Sequence, residues 1–303
     1  MTIELQVAIG QYSDAGPRPL NQDFHGAAVP SGAALRCKGI ALALADGIGS
    51  SEVSHIASAA AVRGFLDDYY ATSQAWTVRR AAQRVIAATN SWLHAQTLQG
   101  PGRHDRDHGH VCTFSALVFK GREAHLLHVG DTRVYRVHDG ALEPLTVDHR
   151  VRLGPGETYL GRALGVAAHV EIDYDCWPTA PGETYLLATD GAWEHLDAAA
   201  VQACLHRHGS DLQACAQALV MHALAHGGDD NATVQLARIV ALPDASAPVP
   251  HTDRAGWAVA VPLSPGQQFE GCTVLRELHA SARSPVYLAR DNASGQTLVL
   301  KLP

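Results

Sequence analysis

The stretch Ile40 to Glu52, IALALADGIGSSE, sets the tightest limit on what this chain can fold into. An aliphatic run suited to a buried strand ends on Asp46 and passes at once into Gly47, Ile48 and Gly49. Desolvating a carboxylate costs several kcal/mol unless a cation or hydrogen-bond donors compensate. Something must therefore meet Asp46. The pattern recurs: TYLLATDGAWEHL runs a hydrophobic strand into Asp190-Gly191, LLHVGDTRVYR puts Asp131 in a turn between strands, and GGDDNATVQL sets Asp229, Asp230 and Asn231 before another strand. Hard divalent ions such as Mg²⁺ or Mn²⁺ take carboxylate, carbonyl and water oxygens, and strand ends hold such groups rigidly. Any single Asp-Gly is an ordinary turn former; the set, each member beside an apolar run, points to a metal centre.

A chain of 303 residues, 47% of them hydrophobic, can bury one large core and carry a smaller appendage. Its net charge of −7 and lack of a Lys/Arg block exclude a broad surface for nucleic acid or anionic membrane. Six cysteines without C-x-x-C spacing disfavour a zinc knuckle and a disulfide framework alike, and suit a reducing compartment. The N-terminus has no signal-peptide pattern, and no apolar run approaches the ~18–20 residues of a membrane span, so the expected location is cytoplasmic.

Strand-like runs lie at 4–9, 39–45, 113–119, 123–129, 133–138, 183–188 and 233–239, and helical patterns at 52–70, 78–96, 198–206 and 212–226. Trp92 is among the apolar positions of the second helix. Consecutive strands and paired helices imply an α+β sandwich of antiparallel sheets covered by helices. Residues 1–240 form the expected main domain and 241–265 a Pro/Ala-rich linker. The remainder, 266–303, returns to a strand pattern but is too short to bury a core alone.

The ordered set RPLNQD (Arg18 to Asp23), ADGIGS, HVCTFSALVF, VGDTRVYR, LTVDH, GRALG, ATDGAWE and DDNATV resembles the bacterial metal-dependent serine/threonine protein phosphatases of type 2C, the PPM family. The resemblance implies a four-layer α-β-β-α sandwich with a two-metal Mn²⁺ or Mg²⁺ centre at one edge. By position, Asp46 would bridge both ions, Gly47 would lend its carbonyl, and Asp190 and Asp230 would complete the set. Asp131, with Asp190, resembles the ligands of a weaker third ion. Arg18 resembles the arginine that clamps the substrate phosphate, and Asp23 the acid that hydrogen-bonds a metal-bound water. The implied reaction is hydrolysis of phosphoserine and phosphothreonine in proteins by a water activated between two ions. Gln22 stands where many members have Glu, Ile48 where animal members have a His, and the segment 151–165 is short for the mobile flap found there.

Other features carry less chemistry. The segment RHDRDHGH, with His104 and His108, reads as a loop because of its flanking glycines and proline. Cys112 and Trp193 read as core, and His149 as a structural hydrogen-bonding residue. The tail resembles the start of a Hanks-type protein kinase, with Val286 and Lys301 matching its valine and lysine, although His279, Ser281 and Ser284 replace loop glycines. Its catalytic loop is not within these residues. The attached kinase is thus one expected partner, beside phosphorylated proteins. Two rivals stay open, a catalytically weak phosphoprotein-binding or regulatory module and a nucleotide phosphohydrolase.

Overall fold

The computed structural model describes residues 3–100, 103, 105, 108–138, 141–154, 157–244, 263–269, 271–279, 286–292 and 294–301. It divides into two compact units, residues 1–250 and 251–303. In the first, the elements run β1 (Gln6–Asp14), β2 (Asp23–Ala28), α1 (Gly32–Lys38), β3 (Ile40–Asp46), α2 (Ser54–Ala71), α3 (Val78–Gln99), β4 (Phe114–Lys120), β5 (Glu123–Val129) and β6 (Arg133–His138). The chain continues through β7 (Ala141–Pro144), β8 (Arg150–Gly154), β9 (Glu157–Leu160), β10 (Asp173–Pro178), β11 (Thr184–Ala188), α4 (Asp190–Trp193), α5 (Ala198–His208), α6 (Leu212–Ala225) and β12 (Ala232–Ala241).

Two five-stranded antiparallel sheets, in the orders β1-β12-β11-β6-β7 and β10-β5-β4-β3-β2, form the middle layers. Strand β3 shows why. Side chains alternate across a strand, so Ile40, Leu42 and Leu44 join Leu117, Phe119, Leu187 and Ile239 between the sheets. On its other face Ala41, Ala43 and Ala45 meet Ala57, Phe65, Val85 and Ile86 of α2 and α3. Alanines on that face let the helices approach closely. The outer face of the other sheet, through Leu186, Ala188, Val234 and Leu236, packs on Val201, Cys215 and Leu219 of α5 and α6. Each fully buried Leu contributes about 1.5–3 kcal/mol. The result is the four-layer α-β-β-α sandwich implied by the sequence.

Capping fixes the helix starts. Thr77 accepts a hydrogen bond from the Arg80 N–H (3.2 Å), Asp197 from Ala200 (2.7 Å) and Asp211 from Ala214 (2.9 Å). Several expectations need correction. β1 extends to Asp14 because it pairs with β12 along its whole length. Trp92 is 46% exposed, on the solvent side of α3. β2, α1 and β10 carry no clear sequence period and went unanticipated, and the shortened flap is the β8–β9 hairpin.

The second unit is an antiparallel sheet of β13 (Gln268–Phe269), β14 (Cys272–His279), β15 (Val286–Asp291) and β16 (Thr297–Lys301), ordered as in the chain. Leu263, Val274 and Tyr287 form its small core. Most of the expected linker, and Ser281 and Ser284, lie outside the described residues. No helix among the described residues is long and apolar enough to cross a membrane.

Candidate active site

Strand pairing brings the first two acids together, since Asp23 opens β2 opposite Asp46, the last residue of β3. Thr113 fixes Asp46 on both sides: its hydroxyl accepts from the Asp46 N–H (2.9 Å), and its own N–H donates to the Asp46 carbonyl (2.8 Å). Asp190 leaves β11 at the start of α4. Gly191 beside it lies against the segment before β12, where an added Cβ would come 2.2 Å from the Asn231 carbonyl oxygen. That close approach keeps Asp190 and Asp230 in one neighbourhood.

Asp23 is held by two hydroxyls, Thr189 at 2.8 Å and Thr233 at 2.6 Å, both donating to its Oδ2. Its Oδ1 is buried without a hydrogen-bond partner. Burial, and then the nearby Asp190 charge, push the Asp23 carboxyl up to about 7. Burial and Asp131 push Asp190 up to about 6. Asp46 rises well above the ordinary carboxylate range through burial and then through Asp23, Asp190 and Asp131. Crowded, all-oxygen donors that raise one another in this way fit hard divalent cations, which would relieve their repulsion.

Two guanidiniums already face these acids. Arg18 donates to Asp230 Oδ2 and to the Asp229 carbonyl, both at 3.0 Å, so in this structure the expected phosphate clamp is turned onto a carboxylate. Arg150 donates to Asp131 (2.7 Å), Asp190 (3.1 Å) and Glu194 (3.3 Å). Among the described residues, no three of the acids at this edge bring their ligand oxygens all within 4.8 Å of one another.

Arg150 was missed in the sequence reading, where its only signal is a cation directly after LTVDH. Trp193 was read as core, and it does pack on the α5–α6 cluster. Its ring also stacks on Arg133, 3.3 Å from the ring centre, and lies 5.3 Å from Arg150, while its Nε1–H donates to the Asp131 carbonyl (3.1 Å). Thr189 and Thr233 are likewise additions, while Asn231, named beside Asp230 in the sequence, gains a structural role. Asn231 accepts from the Gln22 N–H (2.7 Å) and donates to the Ala15 and Leu20 carbonyls, tying the Arg18 loop to Asp230.

His149 is structural in its contacts, with Nδ1 accepting from the Gly130 N–H (3.0 Å) and Nε2 2.9 Å from Asp173. Gln22 anchors Ser51 and Ser54 through its amide nitrogen. Gly47 bridges to Cys112, whose thiol is fully buried and raised by that burial. His108 pairs with Asp105 at 3.1 Å in an exposed loop, and His104 lies outside the described residues.

A four-layer sandwich whose strand ends gather carboxylates beside two arginines is the architecture of a metal-dependent phosphohydrolase. The chain belongs to the protein phosphatase 2C family, which its residues 17–226 match. That family comprises Mn²⁺- or Mg²⁺-dependent serine/threonine protein phosphatases. Among curated relatives, the serine/threonine phosphatase stp of Listeria innocua is 28% identical over 211 residues, 64% of this chain and 82% of that protein. PstP of Mycobacterium tuberculosis is also 28% identical, over 66% of this chain but only 40% of its own length. The solved PstP catalytic domain in complex with two manganese ions superposes with a TM-score of 0.62 at 28% identity, covering 78% of this chain and all of that one. The Streptococcus agalactiae serine/threonine phosphatase, at 24% identity and a TM-score of 0.65, shares the fold, again covering its whole length and 77% of this chain.

Proposed function

We propose that this chain hydrolyses phosphoserine and phosphothreonine in proteins at the acidic edge of the sandwich. The observation that carries this reading is that Asp23, Asp46, Asp131, Asp190 and Asp230, distant in sequence, lie close enough for their charges to act on one another, with one buried Asp23 oxygen left without a hydrogen-bond partner. Asp46, the Gly47 carbonyl, Asp190 and Asp230 would hold two Mn²⁺ or Mg²⁺ ions, and Asp131 with Asp190 a weaker third. Bound there, the ions supply Lewis-acid neutralisation of phosphate oxygens and an acidified water as nucleophile.

The protein's part is binding, orientation and proton control. Arg18, 46% exposed, can swing from Asp230 to a phosphate dianion, which a planar guanidinium grips with two parallel hydrogen bonds. Asp23, fixed through Oδ2 by Thr189 and Thr233, would offer its unpartnered Oδ1 as a hydrogen-bond acceptor to a water held by the ions. Ile48 offers no proton, so the leaving alkoxide takes one from water. The second unit resembles the first strands of a kinase lobe, and a phosphorylated kinase joined to this domain is a fitting substrate.

Turnover of a phosphothreonine peptide by the full chain tests the reading. We expect hydrolysis with added Mn²⁺, loss of it with a chelator, and preference for phosphopeptide over nucleotide. Folded protein that shows no metal-dependent turnover would be a phosphoprotein-binding module instead.

A further inference from the structure

A second cluster lies at the opposite end of β5 from Asp131. Glu123 and His125 are two apart on β5 and share a face. The antiparallel register sets Cys176 of β10 directly across from His125. One ligand atom from each of the three lies within 4.8 Å of the others, and no other trio of His, Cys, Asp and Glu among the described residues meets that condition. Four strand steps, about 13 Å at ~3.3 Å per residue, separate His125 from Val129 at the other end of β5, so the catalytic edge does not include this cluster.

The contacts within the cluster do not satisfy one another. His125 Nε2 and Glu123 Oε2 are 3.8 Å apart, too far for a hydrogen bond. Tetrahedral Zn²⁺ bonds nitrogen and oxygen at about 2.0–2.2 Å, which places a nitrogen and an oxygen ligand about 3.3–3.5 Å apart, so this pair has to close by about 0.3–0.5 Å, within reach of the exposed Glu123 side chain. His125 is buried, and its other nitrogen, Nδ1, is 2.9 Å from the Tyr174 hydroxyl. Such a partner fixes ring orientation and, with Nδ1 donating, leaves the Nε2 lone pair for a metal.

We propose that Glu123, His125 and Cys176 form a Zn²⁺ site that clips edge strand β10 to β5 and leaves a fourth position open. The set is a thiolate, an imidazole and a carboxylate, a combination that favours Zn²⁺ over Mg²⁺ or Mn²⁺. Thiolate and carboxylate together match the charge of the ion. Burial, then Lys120, push His125 down to about 4, so its imidazole is neutral and ready to bind near pH 7. A thiol gives up its proton when it binds a metal.

Cobalt is the probe, since Co²⁺ bound to thiolate gives a near-ultraviolet charge-transfer band and carboxylate-bound Co²⁺ does not. The full chain, stripped of metal and then held in excess Mg²⁺ to fill the acidic edge, is titrated with Co²⁺. The expected result is one equivalent that develops the band and is displaced by Zn²⁺. Cys176→Ser should abolish the band, and Tyr174→Phe should weaken Zn²⁺ binding about tenfold. Glu123→Gln, at an exposed position, should weaken it similarly and guards against a Cys176 variant that fails to fold. No band in the wild-type chain, a band undiminished in Cys176→Ser, or Zn²⁺ affinity unchanged in Glu123→Gln would overturn the proposal.

Discussion

At one end of β5 the chain turns through Gly130 and Asp131 into a gathering of oxygen donors faced by Arg18 and Arg150. At the other, Glu123 and His125 set an oxygen and a nitrogen across from a thiol on β10. The first end lies where two sheets and α4 meet, so its acids come from five separate segments and raise one another's proton affinity. The second is assembled from two neighbouring strands by register alone. Convergence from many segments places strong charges where nothing local could hold them, whereas local pairing suits a small clip.

The largest difference between the ends should appear in turnover. Asp190→Ala should lower Mn²⁺-dependent phosphopeptide hydrolysis by on the order of 10³-fold. Its Tm in chelator should not fall, because the change removes repulsion. Retained activity would strip Asp190 of its assigned role.

Glycine variants separate the ends by stability. Gly191→Ala forces a Cβ onto the Asn231 carbonyl and should cost about 3 kcal/mol. Gly121, in the turn leading into β5, has φ +61 and open space around it, so Gly121→Ala should cost about 1–2 kcal/mol. Denaturant unfolding of both variants measures the contrast, and equal costs would show that crowding at Asn231 is relieved cheaply.

Arg150→Gln releases Asp131 and Asp190 from a fixed cation. Calorimetric titration should show the weakest Mn²⁺ binding about tenfold more tightly, a change of about 1.4 kcal/mol. An unaltered isotherm would mean that the guanidinium yields its place without cost.

A further contrast concerns pH. In the metal-stripped fold Asp23 keeps its proton up to about 7, against an ordinary value of 3.8, so the folded state binds more protons between those values. Its contribution to stability therefore declines as pH rises through that window. His125 and His128, both pushed down to about 4 chiefly by burial, act in the opposite sense below 6.5. Comparing the wild-type chain with Asp23→Asn in chelator isolates the carboxyl. The Tm advantage of Asp23→Asn should grow by a few degrees from pH 5 to 8, and a constant difference would refute the raised proton affinity.

Much of this was legible in the sequence because β3, β5, β6 and β11 are aliphatic or β-branched runs whose ends coincide with Asp or Gly. β5 and β6 begin and end where the pattern indicated. β2, reading DFHGAA, has no strong strand-forming run and is a strand because β3 supplies a partner. The hydroxyls on Asp23 come from positions 166 and 210 residues away, joined only through sheet pairing. Arg150 could not be foreseen for a similar reason. Which carboxylates a cation reaches depends on where the β8–β9 hairpin leaves the sandwich.

That hairpin is stitched down at both feet. His149 is fastened to Gly130 and to Gly161 at its base, while Leu164 exchanges backbone hydrogen bonds with Cys112, and Gly165 donates to Asn90 of α3. Held at both feet, the segment keeps Arg150 at its start tethered beside Asp131 and Asp190, so the cation cannot leave the acids by a shift of the whole hairpin without breaking those bonds.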